Sequence, residues 1–332
     1  MRLNALNKFH EPLVSSGGFQ KTQLSPLNEI VVKEFHEFQN KAPEYAMAVA
    51  VIRALTCAIK DSKAQTFMGV SKDLEEAATA LQRMNPCSIA LKAACEIFLR
   101  YATRTMEKFE QEKFDNIKAE LVERGIRFEE ASIKSREKIV DLASRFVRPN
   151  AVVLVHGYSR VVLGILERVA SMGCLFSVIV AEARPDDEGS GLKMVSALDR
   201  LNVPVTLVPD AGVAYVMEEV DIFLAGAEAV VENGGVVGRL GTYQVALCAR
   251  ACSKPVYVAA ESYTFARLFP VSQRDLPNAN KPMGLGPLLP QRVKVAHPSR
   301  DYTPPTCIDL LVTDLGVLTP AAVSDELIQL YL

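Results

Sequence analysis

The sequence predicts an α/β protein in which an all-helical N-terminal domain precedes a Rossmann-like domain with a doubly wound parallel sheet. Between residues 28 and 146 the apolar positions recur with helical spacing. Beyond residue 149, short runs rich in valine and isoleucine alternate with helical segments, as in a parallel sheet. The 332 residues suit two domains of roughly 100–200 residues each. We therefore predict domains over residues 1–148 and 149–332.

Three helical segments support the N-terminal domain. Residues 46–59 are rich in alanine, and residues 73–84 open with Asp73 followed by Glu76 at the spacing of a capping box. The charged stretch 107–130 carries an apolar stripe that predicts one face packed in a core. Its members are Phe109, Phe114, Ile117, Leu121 and Phe128.

Six short apolar runs predict the strands of the C-terminal domain. They are nearly unbroken, so both faces of the sheet should be covered by helices. The runs are residues 151–155, 175–181, 203–208, 221–226, 255–260 and 309–313.

The last part of the chain predicts a long loop and a terminal helix. Residues 276–306 contain seven prolines, which exclude a helix or a central strand and predict a long surface loop. Residues 321–331 then form a helix whose apolar end, 327–332, should dock in the core or in an interface.

Composition excludes several classes of function. The 37 basic and 39 acidic residues give a net charge of -2, so no large positive field favours nucleic acid or a membrane surface. No run of about 18 apolar residues and no apolar signal segment is present, which predicts a cytoplasmic protein. The seven cysteines lack the spacing of a disulfide framework and are expected to be reduced thiols.

The turn after the first predicted strand is the first candidate binding site. It reads His156-Gly157-Tyr158-Ser159-Arg160 and precedes a helix over 161–169. Ser159 is a suitable N-cap, and the free amides at the helix start, with Arg160, are suited to bind a phosphate. The alternative is that Ser159 only caps the helix, Arg160 only meets solvent and His156 is a buried, hydrogen-bonded side chain.

The glycine-rich stretch 226–242 is the second candidate site. Four of its glycines, between positions 234 and 241, would let the backbone approach a ligand. Polar groups for a polyol or phosphate come from Glu228, Asn233, Arg239 and Thr242. Alternatively, Asn233-Gly234 is only a tight turn.

Signatures of cofactor and metal sites are absent. Gly189-Ser190-Gly191 lacks the third glycine of a dinucleotide fingerprint, and residues 234–239 lack the glycine-lysine pair of a P-loop. Cys248 and Cys252 lie four residues apart, but the four histidines are scattered along the chain. We therefore predict no nucleotide cofactor and no metal.

Four stretches carry a resemblance to a known family, the alpha, beta and delta regulatory subunits of translation initiation factor 2B. The last of them, at the C-terminus, resembles the alpha branch in particular. The stretches are residues 151–163 with the His156 turn, residues 226–235 (GAEAVVENGG), Phe269-Pro270 after the AAES of 259–262, and residues 312–332 (VTDLGVLTPAAVSDELIQLYL).

The resemblance implies a function without catalysis. Members of that family form a homodimer that joins two copies of the other initiation factor 2B subunits into a guanine-nucleotide exchange complex. That complex reloads initiation factor 2 with GTP and senses its phosphorylated alpha subunit. The implied partners are therefore the other subunits, initiation factor 2 and a second copy of the chain, with no membrane and no direct nucleic-acid contact.

The same superfamily includes ribose-1,5-bisphosphate isomerases, which provide the alternative function. Those enzymes carry a cysteine directly after the histidine of the first turn and an aspartate in the second turn. The corresponding residues here are Gly157 and Glu228. Because proton transfer on a sugar needs a donor and an acceptor beside adjacent carbons, the resemblance implies that this chain has lost catalysis. An isomerase would have to use Glu228.

The resemblance also implies a retained pocket for a sugar phosphate or phosphate, with a third turn at Glu182-Ala183-Arg184-Pro185. Gly238-Arg239 departs from the family's asparagine-lysine pair, and the N-terminal arginine-glycine-alanine turn is absent. The predicted ligand-binding residues are Tyr158, Ser159, Arg160, Glu182, Arg184, Glu228, Asn233, Gly234, Gly235, Arg239 and Thr242.

Overall fold

A computed structural model describes residues 25–41, 47–86, 88–108, 114–184, 189–277, 293 and 296–331. Its N-terminal part is helical, as predicted. Alanine, valine and leucine side chains of α2 and α3 are buried against α1, α4 and α5, so these helices share one apolar core. The helices are α1 (Pro26–Lys41), α2 (Met47–Asp61), α3 (Phe67–Met84), α4 (Ile89–Lys108) and α5 (Phe114–Ala143).

The predicted start of the third helix was wrong. α3 begins at Phe67, and its N-cap is Thr66, whose hydroxyl accepts a hydrogen bond of 3.2 Å from the backbone N–H of Gly69. Asp73 lies inside the helix, where its carboxylate accepts a 2.6 Å hydrogen bond from the Ser62 hydroxyl. The aspartate therefore fixes the connection before the helix instead of capping it.

The charged stretch 107–130 spans the end of α4 and the first half of α5. Leu121 is buried in the helical core and Phe128 packs partly against it, as the stripe predicts. Residues 109–113, including Phe109, and the side chains of Phe114 and Ile117 lie outside the described part of the chain.

The C-terminal part contains a seven-stranded sheet with the order β11-β10-β7-β4-β1-β2-β3. Each neighbouring pair is parallel except β10 and β11, which are antiparallel. The six predicted runs correspond to the parallel strands, so the predicted fold class is confirmed. The strands are β1 (Val152–His156), β2 (Ser177–Ala181), β3 (Val205–Val208), β4 (Ile222–Gly226), β7 (Val256–Ala259), β10 (Leu310–Val312) and β11 (Val317–Leu318).

Both faces of this sheet are covered because alternate side chains of each strand point to opposite sides. Val153 and Val155 pack under α6 and α7, whereas Leu154 packs under the helices of the other face. Leu327 of the terminal helix is buried there, as predicted. The helices are α6 (Arg160–Ser171), α7 (Ser190–Asp199), α8 (Val213–Val216), α9 (Thr242–Ala251) and α10 (Val323–Tyr331).

A second, four-stranded sheet was not predicted. Its order is β8-β5-β6-β9, and it lies against α4 through a small core that includes Ile89, Ala93 and Tyr302. It therefore stands between the helical layer and the main sheet. Its strands are β5 (Ala229–Val231), β6 (Val236–Arg239), β8 (Phe265–Ala266) and β9 (Arg300–Thr303).

The prediction of a surface loop over residues 276–306 was wrong for the last part of this range. Residues 300–303 form β9, which pairs antiparallel with β6 at the edge of the second sheet. Pro298 and Pro304 flank this strand without interrupting it, and an edge strand tolerates nearby prolines. Residues 278–292 and 294–295 lie outside the described residues.

The last helix of the N-terminal part joins the two layers. Ile139, Val140 and Ala143 of α5 are buried in the same core as α6 and the main sheet. Helix gives way to strand between Phe146 and Val152, and the apolar core is continuous across this point. None of the described helices is long and apolar enough to cross a membrane.

A single core substitution tests the layered packing. Leu154 lies in the central strand β1 and is fully buried, so Leu154→Ala should lower the free energy of unfolding by about 2–5 kcal/mol. The control is Leu207→Ala on the edge strand β3, where the side chain is 42% exposed and the expected loss is about 0.5 kcal/mol. Urea unfolding measures both. Equal losses would contradict the assignment of the core.

Candidate functional site

A large cleft opens at the carboxyl ends of the parallel strands. Its volume is about 1220 Å³. The chain turns to opposite sides after β1, which pairs with β2 on one side and with β4 on the other. Open parallel sheets bind ligands at such a switch point. Met47, Ala48, Ser88 and Ala90 close the cleft from the helical layer, so both parts of the chain build it.

The floor of the cleft is the turn that follows β1. Ser159 caps α6, and its hydroxyl accepts a 3.4 Å hydrogen bond from the backbone N–H of Val162, as predicted. A β-carbon on Gly226 would lie 2.2 Å from the Ser159 hydroxyl oxygen. Glycine at the end of β4 is therefore required for α6 to begin directly above the strand ends.

Gly157 is held in a left-handed conformation with φ of 58°. A β-carbon there would lie 2.8 Å from the Ser190 hydroxyl oxygen and 2.9 Å from the Ala183 β-carbon. A larger side chain at this position would therefore be strained by the backbone conformation and would clash with its neighbours.

His156 is buried behind this turn. Its Nδ1 lies 3.2 Å from the Thr242 hydroxyl oxygen, and its Nε2 lies 3.7 Å from a carboxylate oxygen of Asp210. The same carboxylate accepts hydrogen bonds of 2.9 and 2.6 Å from the backbone N–H groups of Ala183 and Arg184. Asp210 thereby fixes the end of β2, where Ala183 adopts a positive φ of 59°.

One wall of the cleft carries two arginines from the second sheet. Arg239 of β6 and Arg300 of β9 are directly opposite each other in the strand pairing. Like charges in this arrangement repel. Glu228 offsets the repulsion because its carboxylate accepts a hydrogen bond from the Arg300 guanidinium in a direct ion pair.

The N-terminus of α9 is already occupied by an internal carboxylate. Asp301 accepts hydrogen bonds of 2.7 and 3.0 Å from the backbone N–H groups of Gly241 and Tyr243. Its other oxygen is buried and has no hydrogen-bond partner among the described residues. Burial raises the pKa of Asp301 to about 7, although the two N–H groups act in the opposite direction.

A second group of charges lies where Glu261 and Tyr263 line the cleft. Arg136 of α5 lies 3.9 Å from the carboxylate of Glu261, which is almost fully buried. Arg160 lies near this pair, and its burial, followed by the charge of Arg136, lowers its pKa. Tyr263 completes the group, and burial together with the charge of Glu261 raises its pKa.

Six of the predicted ligand-binding residues come together in the cleft. They are Tyr158, Ser159, Arg160, Glu228, Arg239 and Thr242.

The other five predicted residues do not line the cleft. Glu182 and Arg184 pair with each other at 2.9 Å beside the end of β2. The side chain of Asn233 bonds to Tyr302 at 2.7 Å and accepts from the Gly235 N–H, while Gly234 packs against Pro320. This arrangement agrees with the alternative that Asn233-Gly234 forms only a tight turn.

The remaining charged and aromatic residues at the cleft were not among the predicted ligand-binding residues, and they come mostly from long-range contacts. Glu261 and Tyr263 follow β7, and the rule that binding residues follow parallel strands could have indicated them. Arg300 lies in an unpredicted strand, and Arg136 lies among many charged residues of α5. No local pattern distinguishes either arginine.

Comparison with known proteins assigns the family. The model of the initiation factor 2 subunit family matches residues 40–320. The chain belongs to the initiation factor 2 subunit family. It is 43% identical over 315 residues to translation initiation factor eIF2B subunit alpha of Dictyostelium discoideum, covering 91% of this chain and 96% of that protein. The resemblance to the alpha branch is thereby confirmed.

More distant similarities are found to an enzyme and to a solved complex. A ribose 1,5-bisphosphate isomerase of Pyrococcus furiosus is 27% identical over 91% of this chain and 95% of its own length. The solved tetrameric eIF2B-beta2-delta2 complex from C. thermophilum matches with a TM-score of 0.75 and 18% identity, covering 92% of this chain and 96% of that one. This structural likeness confirms the α/β fold of the family.

The crowding around Gly157 predicts that a β-carbon at this position destabilises the fold. Gly157→Ala should lower the free energy of unfolding by about 1–3 kcal/mol, because the new β-carbon meets both a positive φ and two close neighbours. Gly173→Ala is the matched control, since Gly173 has φ of 72° and no atom near its absent β-carbon. Chemical denaturation should show the larger loss for position 157. Equal losses would mean that this turn is not crowded.

The raised pKa of Asp301 predicts a pH dependence. The folded protein binds this proton more tightly than the unfolded chain, whose aspartate pKa is about 3.9, so stability falls as pH rises from about 4 to about 7. Asp301→Asn keeps an acceptor for the α9 amides and removes the titration. Between pH 5 and pH 8 the wild type should lose about 1–3 kcal/mol more than the variant in urea unfolding. Parallel pH profiles would contradict this assignment.

Proposed function

We propose that this chain is a non-catalytic regulatory subunit of a translation initiation factor 2B guanine-nucleotide exchange complex. In this role it forms a homodimer in the cytoplasm and joins two copies of the other subunits. It also contributes to the surface that binds initiation factor 2 with a phosphorylated alpha subunit. The observation that carries the proposal is the 43% identity to an eIF2B alpha subunit over nearly the whole of both chains.

The geometry of the first turn supports the absence of catalysis. Gly157 stands where the isomerases of the superfamily carry a cysteine, and the space for a β-carbon is taken by Ser190 and Ala183. Glu228 stands where the isomerases carry the aspartate, and its carboxylate forms an ion pair with Arg300. The cleft thus lacks one proton-transfer group and holds the other in an ion pair.

Assembly with related chains is supported by the fold. The same architecture occurs in the tetrameric eIF2B-beta2-delta2 complex, in which family members associate with one another. The terminal segment leaves Val317 and Ile328 exposed on the C-terminal part, as an interface for another subunit requires.

We also propose that the cleft binds a sugar phosphate as a regulatory or stabilising ligand. Five basic residues and three acidic residues line it, which gives the cavity a net positive charge. Tyr158, Ser159 and Thr242 add hydroxyl groups that hydrogen-bond to a polyol. No nucleotide cofactor or metal enters this proposal.

The alternative function is an isomerase acting on a ribose-1,5-bisphosphate-type substrate. The observation in its favour is the persistence of the cleft, with His156 and Glu228 at the carboxyl edge of the sheet. In that case Glu228 would have to leave Arg300 and transfer the proton alone.

The first experiment is the isolation of the tagged protein from its own cells, followed by native mass measurement and identification of the accompanying chains. We expect a large complex that contains the other exchange-factor subunits. The control is the same tag on an unrelated cytoplasmic protein of similar size. Recovery as a lone dimer, free of those chains, would contradict the regulatory function and favour the isomerase.

A further inference from the structure

The segment that follows β7 reaches into the helical layer. Residues 262–264 form one short helical turn, and the ring of Tyr263 at its centre is buried with side chains of α1 to α5 in the helical core. Among the described residues of the α/β part, Tyr263 is the one whose side chain joins this core. Tyr263 and Thr264 also line the cleft. One short turn therefore faces both the helical core and the cleft.

A carboxylate at the end of β10 fixes this turn to α5. Asp314 accepts hydrogen bonds of 2.7 Å from both the backbone N–H and the hydroxyl of Ser262. It also accepts a 3.3 Å hydrogen bond from the hydroxyl of Ser135, which lies in the second half of α5. The turn, the end of β10 and α5 therefore meet at one side chain.

The hydrogen bond from α5 can be exchanged for another. The Ser135 hydroxyl also lies 2.9 Å from the backbone carbonyl oxygen of Ala131, one turn earlier in the same helix. A serine hydroxyl carries one proton, so it donates fully to Asp314 or to Ala131 but not to both. Serines inside helices often bond to the carbonyl four residues back. α5 consequently has two arrangements at this point, and it is bound to Asp314 in only one of them.

The neighbouring contact between α5 and the segment after β7 is loose as well. Arg136 lies 3.9 Å from the carboxylate of Glu261, too far for a direct hydrogen bond. By contrast, Leu121 is buried in the helical core, and Ile139 is buried beside the main sheet. α5 has 30 residues and is about 45 Å long. It is therefore anchored firmly in both cores, whereas its contacts with the segment after β7 are weak.

We propose that Asp314, Ser262 and Ser135 form a latch that couples the helical layer to the cleft. In the closed latch, the Ser135 hydroxyl donates to Asp314. In the open latch, the same hydroxyl donates to Ala131, and α5 shifts past the turn by the small sliding motion that packed helices allow. The turn responds to this shift because Ser262 and Ser135 share one carboxylate.

The latch connects two surfaces of the molecule. Tyr263 is held in the helical core, and the next residue, Thr264, lines the cleft. A protein bound to the helical layer therefore changes the position of residues that line the cleft. Coupling between two sites is reciprocal, so a molecule in the cleft acts on the helical layer with the same coupling free energy. The latch itself depends on the identity of neither the protein nor the molecule in the cleft.

Hydrogen exchange of the full chain, measured by mass spectrometry, tests the latch. Ser135→Ala removes the hydroxyl from α5 and leaves both hydrogen bonds between Asp314 and Ser262 in place. We expect exchange about three- to tenfold faster in residues 261–266 as well as in residues 131–138, because one hydrogen bond at the shared carboxylate is lost. Ser135→Asp should have a larger effect, since its carboxylate repels that of Asp314.

Ser171→Ala is the matched control. Its hydroxyl donates to the backbone carbonyl of Arg168 in its own helix, so exchange in residues 261–266 should stay unchanged. Thermal melting shows that each variant is folded, and Ser135→Ala provides the test if Ser135→Asp does not fold. Faster exchange confined to residues 131–138 would overturn the latch. Uniformly faster exchange along the whole chain would also overturn it, because the hydroxyl would then act through overall stability.

Discussion

Close packing at the carboxyl ends of β1 and β4 is the constraint on which the rest of the site depends. Gly226 lets Ser159 approach so closely that α6 begins directly above the strand ends. Gly157 turns the chain in a left-handed conformation beside Ser190 and Ala183. Because both positions exclude a side chain, the floor of the cleft is backbone and hydroxyl groups, a surface suited to binding.

The walls of the cleft come from parts of the chain that lie far apart in sequence. The second sheet brings Arg239, Arg300 and Glu228 to one side, and α5 brings Arg136 toward Glu261 on the other. Asp314 strengthens this second junction, since its carboxylate accepts hydrogen bonds from Ser262 at 2.7 Å and from Ser135 of α5 at 3.3 Å. Residues from both layers of the molecule therefore line the cleft.

Much of this architecture could be predicted from the sequence because its signals are local. The central parallel strands are buried on both faces, so they appear as almost unbroken apolar runs, and all six were located within two residues at either end. The cap at Ser159 follows from its position between a strand and a helix. The resemblance to the family came from the same turns and, most specifically, from residues 312–332.

The remainder could not be predicted because it depends on pairing between distant segments. The strands of the second sheet have only two to four residues, too few to show an alternation of apolar and polar positions. Asp73 resembled a cap because nothing in the sequence indicates its bond to Ser62. Asn233 is polar and follows a strand, yet it bonds within its own turn and to Tyr302.

The central claim is that the cleft binds a phosphorylated sugar without converting it. Phosphorus NMR of the full chain mixed with ribose 1,5-bisphosphate tests this claim most directly, because one spectrum reports both binding and chemical identity. The account predicts shifted or broadened substrate resonances that persist unchanged over hours. The appearance of resonances from the ketose bisphosphate would contradict it and favour the isomerase.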